Sequence, residues 1–299
     1  MANQQNVTSG PLDSPSCVVC EASSASCGSK GGYELFRCSA CSHLFVWPMP
    51  STTDSIYSAD YFSGAKAGFG YTDYDNDKRA MIPTFEKCLS RIEAAVGSTG
   101  ALLDVGAATG FFLDLAKRRK WQVQGVELSV SASAVARSKG LDVATGSVES
   151  CELPASSFDA VSMWDVIEHL TDPPGTMNSV RRILKPKGVL AINTPDSTSA
   201  VSRLLGLKWH LVTPPEHLNL FSQYSLRLLL EKHGFEVLEV TRISKTFTVQ
   251  YTLHFLLKTL GMVNGAAARV SDGLNGTKLG LLGIPINLRD NMFVLARKR

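Results

Sequence analysis

The sequence lacks the features of a membrane-spanning or secreted protein. No apolar run approaches the roughly 18–20 residues that a helix needs to cross a bilayer, and residues 1–16 are polar without an apolar signal core. We therefore expect residues 1–16 to form a disordered tail and the protein to be cytoplasmic. The sequence also has little excess of positive over negative charge. The net charge is +3 with 19% charged residues, which is too mild to indicate nucleic acid or an anionic membrane as a partner.

Cysteine is sparse but patterned. The chain of 299 residues has seven cysteines, and without a secretion signal they favour thiols or metal ligands over disulfides. Four of them form two Cys-x-x-Cys pairs with 17 residues between the pairs, namely Cys17, Cys20, Cys38 and Cys41. Because tetrahedral zinc takes four soft ligands and each pair offers two, the spacing predicts a zinc ribbon over residues 17–50 with these four cysteines as ligands.

The predicted ribbon carries few other residues with distinctive chemistry. Lys30 and Arg37 are nearly its only cations. A structural zinc that staples a segment too small to bury its own core is therefore favoured over nucleic-acid contact or partner docking. His43 follows the last thiol by two residues and is a weaker alternative ligand. Cys27, in the loop between the pairs, is interpreted as a bystander.

Aromatic residues are concentrated in residues 51–75, a stretch rich in Gly, Ser and Asp. These aromatic residues either form a lid over a pocket or pack the ribbon against the remainder of the chain. The sequence does not decide between the two interpretations. A helical apolar pattern from Asp77 to Val96 opens the main domain, which we place at residues 76–299. Thr248 to Leu260 is a second apolar helical stretch, interpreted as core or pocket wall rather than as a partner- or lipid-facing surface.

The stretch from Ala101 to Lys120 predicts a strand, a glycine turn and a helix. Ala101 to Val105 is a short apolar run with Asp104 near its end, and Gly106 and Gly110 bracket the turn. The following apolar residues recur at helical spacing. Glycine lets the backbone turn tightly and brings bare amides close to a ligand. A ligand would lie outside the carboxyl end of the strand, near the helix N-terminus.

A second acid follows at the end of the next predicted strand. Glu127 comes about 20 residues after the glycines, where a carboxylate accepts hydrogen bonds from ribose hydroxyls. This pair fits a dinucleotide or another adenosine cofactor. The spacing here is Gly-x-x-x-Gly, and Asp104 lies two residues before the first glycine. Such an acid would repel a pyrophosphate but suits a ligand with a cationic amino group.

The remainder of the chain alternates strands and helices. Helices are predicted over Ser129–Lys139, Pro173–Leu184 and Gln223–His233. Further strands are predicted over Leu141–Thr145, Phe158–Met163, Val189–Asn193, Phe235–Ile243 and Asn291–Arg297. This alternation predicts an α/β fold with a doubly wound, mostly parallel sheet and right-handed crossovers.

Three motifs carry a family resemblance. The turn Leu-Asp-Val-Gly-Ala-Ala-Thr-Gly resembles the first motif of class I S-adenosylmethionine-dependent methyltransferases, with Ala108 where that family often has Gly. The block from Phe158 to Asn193 is similar to the middle motifs of the ubiquinone-type O-methyltransferase branch. The segment Pro215 to Ser222 resembles one in bacterial small-molecule methyltransferases that begin with a zinc ribbon. The resemblance covers roughly residues 17–243 and implies a seven-stranded Rossmann-like sheet with an antiparallel seventh strand.

The resemblance assigns S-adenosylmethionine as cofactor and implies its contacts. Asp104 and the glycine turn would hold the amino-acid end, Glu127 the ribose, the loop after the third strand the adenine, and Asp165 the edge of the cofactor. The candidate cofactor residues are Asp104, Gly106, Ala107, Gly110, Glu127, Leu128, Ser147, Val148 and Asp165. The alternative for Asp104 and Glu127 is capping of the strand ends.

The acceptor side has three open interpretations. His169 and His217, the latter beside Glu216, are candidate catalytic residues, with His210 a weaker third. A His beside carboxylates suits a general base near neutral pH. The second interpretation is a divalent metal site, Mg²⁺ for example, and it resembles that of small-RNA 2′-O-methyltransferases. Its ligands would be Asp165, Glu168, His169 and His217. If residues 164–170 form a helix, Asp165, Glu168 and His169 share one face of it. The third interpretation is structural histidines.

The leading hypothesis is methyl transfer to a small-molecule acceptor, at a hydroxyl oxygen of a secondary metabolite, quinone precursor or sugar. One alternative is an RNA methyltransferase that grips its substrate with the ribbon, and the mild net charge argues against it. Another is a non-catalytic protein that binds S-adenosylmethionine or docks a partner. The sequence leaves the oligomeric state open between monomer and homodimer.

Overall fold

The computed structural model describes residues 14–50, 74–243, 245–250, 252–253, 273–274, 277, 279–286 and 288–299. Most of the predicted tail, residues 51–73 of the predicted lid and most of the helix predicted over 248–260 lie outside the described residues. Within the described part, no helix combines the length and apolar character needed to cross a bilayer.

The elements are numbered in chain order. The strands are β1 (Ser24–Lys30), β2 (Tyr33–Cys38), β3 (Leu44–Val46), β4 (Ala101–Val105), β5 (Gln122–Glu127), β6 (Val143–Thr145), β7 (Phe158–Trp164), β8 (Leu184–Pro195), β9 (Asn219–Leu220), β10 (Phe235–Arg242), β11 (Lys245–Thr248), β12 (Gly283–Ile286) and β13 (Asn291–Lys298). The α-helices are α1 (Tyr74–Arg79), α2 (Ile82–Val96), α3 (Phe111–Arg118), α4 (Val130–Ser138), α5 (Pro173–Ile183), α6 (Ala200–Leu205) and α7 (Gln223–Lys232).

A seven-stranded sheet forms the centre of the molecule, in the order β10-β13-β8-β7-β4-β5-β6. Strands β4 to β8 run parallel, and β13 runs antiparallel to both β8 and β10. The predicted doubly wound, mostly parallel sheet with an antiparallel last strand is confirmed. The carboxyl ends of β4, β5 and β7 therefore lie side by side at one edge.

Alternating residues of the strands face two separate cores. Leu102 of β4 packs with Phe85 and Leu89 of α2 on one face of the sheet. Its neighbour Leu103 packs with Met177 of α5 on the other. Because side chains alternate along a strand, consecutive apolar residues fill both layers. Full burial of each such side chain contributes about 1.5–3 kcal/mol.

The helix predicted from Asp77 to Val96 is two helices. α1 ends at Arg79, and α2 begins at Ile82 with Pro83 in its first turn. Proline has no amide hydrogen and is tolerated at the start of a helix but not in its interior. The amides of Thr84 and Phe85 donate to the carbonyl of Met81, so the second helix starts anew at that residue.

The segment predicted as a helix over residues 164–170 contains only a single turn of 3₁₀ helix, Ile167–His169. β7 extends to Trp164, and Asp165 adopts a left-handed backbone with φ of 56°. Its amide donates to the carbonyl of Asn193 on β8. The prediction that Asp165 shares one helical face with Glu168 and His169 is therefore wrong, because pairing to β8 holds its backbone outside the helical region.

The N-terminal ribbon is joined to the main domain through a shared sheet. β1, β2 and β3 form an antiparallel sheet to which β9, from residues 219–220, is added as the fourth strand. Sequence periodicity gives no signal for a strand of two residues. The ribbon sheet is thus completed by a strand whose residues pair with partners about 175 positions earlier in the chain. The boundaries drawn at residues 50 and 76 stay predictions.

Candidate functional site

The turn between β4 and α3 has a left-handed backbone conformation at its two glycines. Gly106 and Gly110 have φ of 73° and 81°, and Ala108 has φ of 49°. The amides of Gly106 and Ala107 both donate to the carbonyl of Val126 on β5, at 2.9 and 3.1 Å. A Cβ at Gly106 would lie 2.5 Å from Val166, so the loop after β7 packs directly on this glycine. Only glycine provides both the conformation and the space.

Glu127 ends β5 and is buried. Its Oε2 accepts from the amide of Ala108 at 2.8 Å, and its Oε1 accepts from the amide of Ser129 at 2.8 Å. Burial raises the pKa of this carboxyl, while these backbone amides oppose the rise. The capping alternative is therefore realised in the structure. Each carboxylate oxygen has a second lone pair, so capping leaves acceptor capacity for a ligand hydroxyl.

Asp104 is deeply buried, with 2% of its surface exposed. Burial raises its pKa to about 8, and the nearby charge of Glu127 adds to the rise. A hydrogen bond of 2.6 Å from the Ser162 hydroxyl on β7 and the charge of Lys78 oppose it. A cation bound against Asp104 would favour the ionised form.

Lys78 on α1 is a site residue that the sequence did not reveal. It is 8% exposed, and its Nζ lies 3.8 Å from Oδ2 of Asp165. Asp75 of the same helix accepts from the hydroxyl of Thr109 at 2.5 Å and also pairs with Lys139. In sequence, the charges of this short stretch resemble a solvated helix face. The structure instead packs α1 onto the glycine turn.

The predicted adenine and edge residues follow neighbouring strands. The amide of Gly146, after β6, donates to the carbonyl of Glu127 at 2.9 Å, which brings Ser147 and Val148 beside the end of β5. Val148 is buried and Leu128 is exposed. Asp165 follows β7 and accepts from the side-chain amide of Asn193 at 2.6 Å. The predicted cofactor residues thus lie along one edge of the sheet, and their roles stay predictions.

On the side predicted to bind the acceptor, His169 and His217 lie close to Glu168. Nδ1 of His169 lies 2.7 Å from the carbonyl of Glu216, and Nδ1 of His217 lies 2.6 Å from the carbonyl of Leu211. A carbonyl only accepts, so each Nδ1 donates, and Nε2 is the basic nitrogen of each neutral ring. The two ring centroids lie 4.8 Å apart.

The metal interpretation retains three of its four predicted ligands. Glu168, His169 and His217 place their ligand atoms within 4.8 Å of one another. Glu168 is buried and accepts from the hydroxyl of Thr194 at 2.9 Å. Asp165 is not part of this group among the described residues, because its carboxylate is turned to Asn193 and Lys78.

Two further predicted residues occupy different positions. His210 faces Asp290, with Nε2 3.6 Å from the carboxylate. The same carboxylate oxygen accepts from the indole of Trp209 at 3.1 Å. Glu216 is buried and contributes its backbone carbonyl to His169.

The four predicted zinc ligands lie together in the ribbon. Sγ of Cys17 lies 3.6 Å from Sγ of Cys41, and Sγ of Cys20 lies 3.3 Å from Sγ of Cys38. Zinc–sulfur bonds of about 2.3 Å in a tetrahedron separate the sulfurs by about 3.8 Å, so the donor set fits zinc. Buried His43 places Nδ1 3.7 Å from Sγ of Cys17, beside the four thiols. Cys27 lies apart and donates to the carbonyl of Leu35.

Burial of Asp104 predicts a pH-dependent stability. Its folded-state pKa of about 8 lies above the ordinary 3.8, so the folded state retains a proton that the unfolded state loses. The ligand-free protein should therefore lose stability as pH rises from about 5 to 8, with a slope approaching roughly 1.4 kcal/mol for each pH unit from this group. In Asp104→Asn this part of the loss should disappear, because the amide keeps an acceptor for Ser162 and never ionises. Urea denaturation across this range measures the slope, and equal slopes in both proteins would contradict the assignment.

Comparison with known proteins agrees with this geometry. A family model described as a methyltransferase domain matches residues 78–240. The ubiquinone biosynthesis O-methyltransferase of Xanthomonas oryzae pv. oryzae is 33% identical over 140 residues, which cover 44% of this chain and 59% of that protein. The protein of the same name from Xanthomonas campestris pv. campestris is 29% identical over 163 residues, which cover 52% and 68%. The chain thus spans about three fifths of the length of the first relative.

Solved structures show the same fold at low identity. A Galdieria sulphuraria protein named as a candidate sarcosine dimethylglycine methyltransferase is 19% identical with a TM-score of 0.50, covering 74% of this chain and 87% of that one. A candidate methyltransferase from Bacillus halodurans C-125 is also 19% identical with a TM-score of 0.50, covering 70% and 98%. Since the family model spans more than half of the chain, including the glycine turn and both buried acids, the chain belongs to the methyltransferase-domain family.

Proposed function

We propose that this protein transfers a methyl group from S-adenosylmethionine to a hydroxyl oxygen of a small molecule. The observation that carries the proposal is the pair of buried carboxylates, Asp104 and Glu127, at the ends of adjacent parallel strands beside a left-handed glycine turn. One acid suits a cationic amino group and the other a pair of ribose hydroxyls. The O-methyltransferases among the relatives support oxygen as the acceptor atom.

The proposed donor contacts use the chemistry of each position. Asp104 and the backbone of the turn hold the amino-acid end, and Glu127 accepts from the ribose with its second lone pairs. Leu128, Ser147 and Val148 flank the base. The donor supplies a methyl group that its sulfonium already activates. The protein's own tasks are then to align the acceptor, exclude water and take up the acceptor's proton.

The proposed base is Nε2 of His169 or His217. Each ring donates from Nδ1 to a backbone carbonyl, which fixes the tautomer and makes Nε2 the basic nitrogen of the ring. A second candidate is a divalent metal held by Glu168, His169 and His217, favoured by the convergence of their ligand atoms. Such a metal would polarise the acceptor hydroxyl and lower its pKa.

Glu127→Ala should weaken donor binding about tenfold or more, because hydrogen bonds to a charged group contribute roughly 1.5–3 kcal/mol. Calorimetric titration with S-adenosylhomocysteine measures the affinity. Glu152→Ala, which removes an exposed carboxylate, is the matched control and should bind as the parent does. Circular dichroism of both variants checks the fold, because Glu127 also caps the backbone. Unchanged affinity in Glu127→Ala would remove this residue from the site.

His169→Ala and His217→Ala should separate the two catalytic candidates. A base predicts at least one variant with turnover reduced about a hundredfold, donor affinity within about twofold of the parent, and full turnover of the parent after gel filtration into Mg²⁺-free buffer, which leaves the ribbon zinc in place. A metal site predicts that this gel filtration abolishes turnover and that added Mg²⁺ restores it. His233→Ala, at the end of α7, is the control. If both histidine variants turn over at the parent rate, both assignments are wrong.

We also propose that the four thiolates bind one structural zinc. Their spacing fits tetrahedral coordination. Cys38 ends β2, and the other three cysteines lie outside the strands of the ribbon sheet. Structural zinc couples metal binding to folding of such a segment.

Cys38→Ser should lose the zinc that elemental analysis finds in the native protein, at about one ion per chain. The exposed Cys27→Ser is the matched control and should retain it. Amide exchange in β1 to β3 should rise on chelation before exchange in β4 and β7 does. Native protein without zinc would disprove the site.

A further inference from the structure

We propose that the zinc ribbon acts as a clamp on residues 206–222, the acceptor segment, and that it thereby positions His169 and His217. The role given to these two histidines rests on the proposed function, whereas the clamp itself rests on contacts. Three sets of contacts carry it: one to the first half of the segment, one to the second half, and one from the segment to the histidines.

The first set comes from β1. Nζ of Lys30 donates to the carbonyls of Leu207 at 2.8 Å and Trp209 at 3.2 Å. A Cβ at Gly28 would lie 3.1 Å from the Leu207 side chain, so the strand lies close against this part of the segment. Trp209 is fully buried and donates its indole hydrogen to Asp290. One ammonium group thus holds two carbonyls of the acceptor segment, two residues apart, against the ribbon.

The second set comes from β3 and the thiol cluster. β3 pairs with β9, and the amide of Val46 donates to the carbonyl of Leu218 at 2.9 Å. The Ser222 hydroxyl donates to the carbonyl of Cys41 at 2.9 Å. The ring of His43 stacks on Phe221 with centroids 4.7 Å apart. The segment is therefore held within hydrogen-bond distance of one of the four predicted zinc ligands.

The third set connects the segment to the site. The amide of Leu218 donates to the carbonyl of Glu168 at 2.8 Å, and the side chain of Asn219 donates to the carbonyl of Leu170 at 2.6 Å. Both histidines take their Nδ1 acceptor from the segment itself, at residues 216 and 211. The orientation of each imidazole therefore depends on backbone that the ribbon holds in place.

The clamp also accounts for the few cations of the ribbon. Lys30 is committed to two carbonyls of the acceptor segment. Arg37 lies 3.4 Å from the carbonyl of Ser42 within the ribbon. A ribbon that binds nucleic acid would direct such groups outward toward phosphates. Here they fasten the ribbon internally and to the main domain.

Lys30→Met tests the clamp, because it removes the ammonium and keeps an apolar stem. In the ligand-free protein, amide exchange in residues 206–222 should become about tenfold faster, as expected for two lost hydrogen bonds to a charged donor. Turnover should fall about five- to twentyfold, and affinity for S-adenosylhomocysteine should stay within about twofold. Lys30→Arg, which can also donate to two carbonyls, should restore slow exchange.

Lys232→Met is the matched control. It removes the same group from another contact between ribbon and main domain, an exposed ion pair with Glu21 at 3.0 Å. Amide exchange of residues 206–222 in this variant should match that of the parent, because an exposed ion pair contributes little to stability. Parent-like exchange in Lys30→Met would overturn the clamp, and so would a loss of donor affinity as large as the loss of turnover. A parent protein that binds no donor would refute the proposed function, while the exchange comparison would still decide the clamp.

Discussion

Burial of two carboxylates at the edge of one sheet is the constraint on which the rest of the site depends. Asp104 and Glu127 lie at the ends of neighbouring strands. Burial raises the pKa of both carboxyls, and the charge of Glu127 adds to the rise at Asp104. An unpaired buried acid destabilises a fold. The molecule offsets this cost with backbone amides at Glu127, a hydroxyl at Asp104 and the ammonium of Lys78. Two buried acids at one edge of the sheet suit a cationic ligand, because a cation would favour their ionised forms.

The order of the strands predicts a crevice at this edge. After β4 the chain turns into α3, which packs in one core, and after β7 it leads to α5, which packs in the other. Adjacent parallel strands whose following helices diverge leave a crevice at their carboxyl ends. β8 lies next to β7, and residues near its carboxyl end form hydrogen bonds with the acids of the loop after β7. Asn193 bonds Asp165, and Thr194 bonds Glu168.

Local pattern predicted the backbone of the glycine turn well and the backbone of the loop after β7 poorly, for a physical reason. The strand, glycine turn and helix over 101–118 are set by neighbours within a few residues, so periodicity and two glycines sufficed. The backbone of Asp165 is set by Asn193, 28 residues away, and that pairing prevents the predicted helix. The burial of Lys78 likewise depends on the turn that α1 covers. Pro83 was visible in sequence and marks the break between α1 and α2.

The two halves of the site are held by different structural elements. The candidate donor residues lie at the ends of core strands, where the sheet fixes them and substitution would strain the fold. The two histidines are oriented by a segment outside the central sheet that is held by a small ribbon with its own predicted metal. Apart from buried residues such as Trp209 and Phe221, side chains in such a segment can change with little cost to the central sheet. Under the proposed function, the donor residues and the two histidines can therefore vary independently, because the segment that orients the histidines is held separately from the sheet that carries the two buried acids.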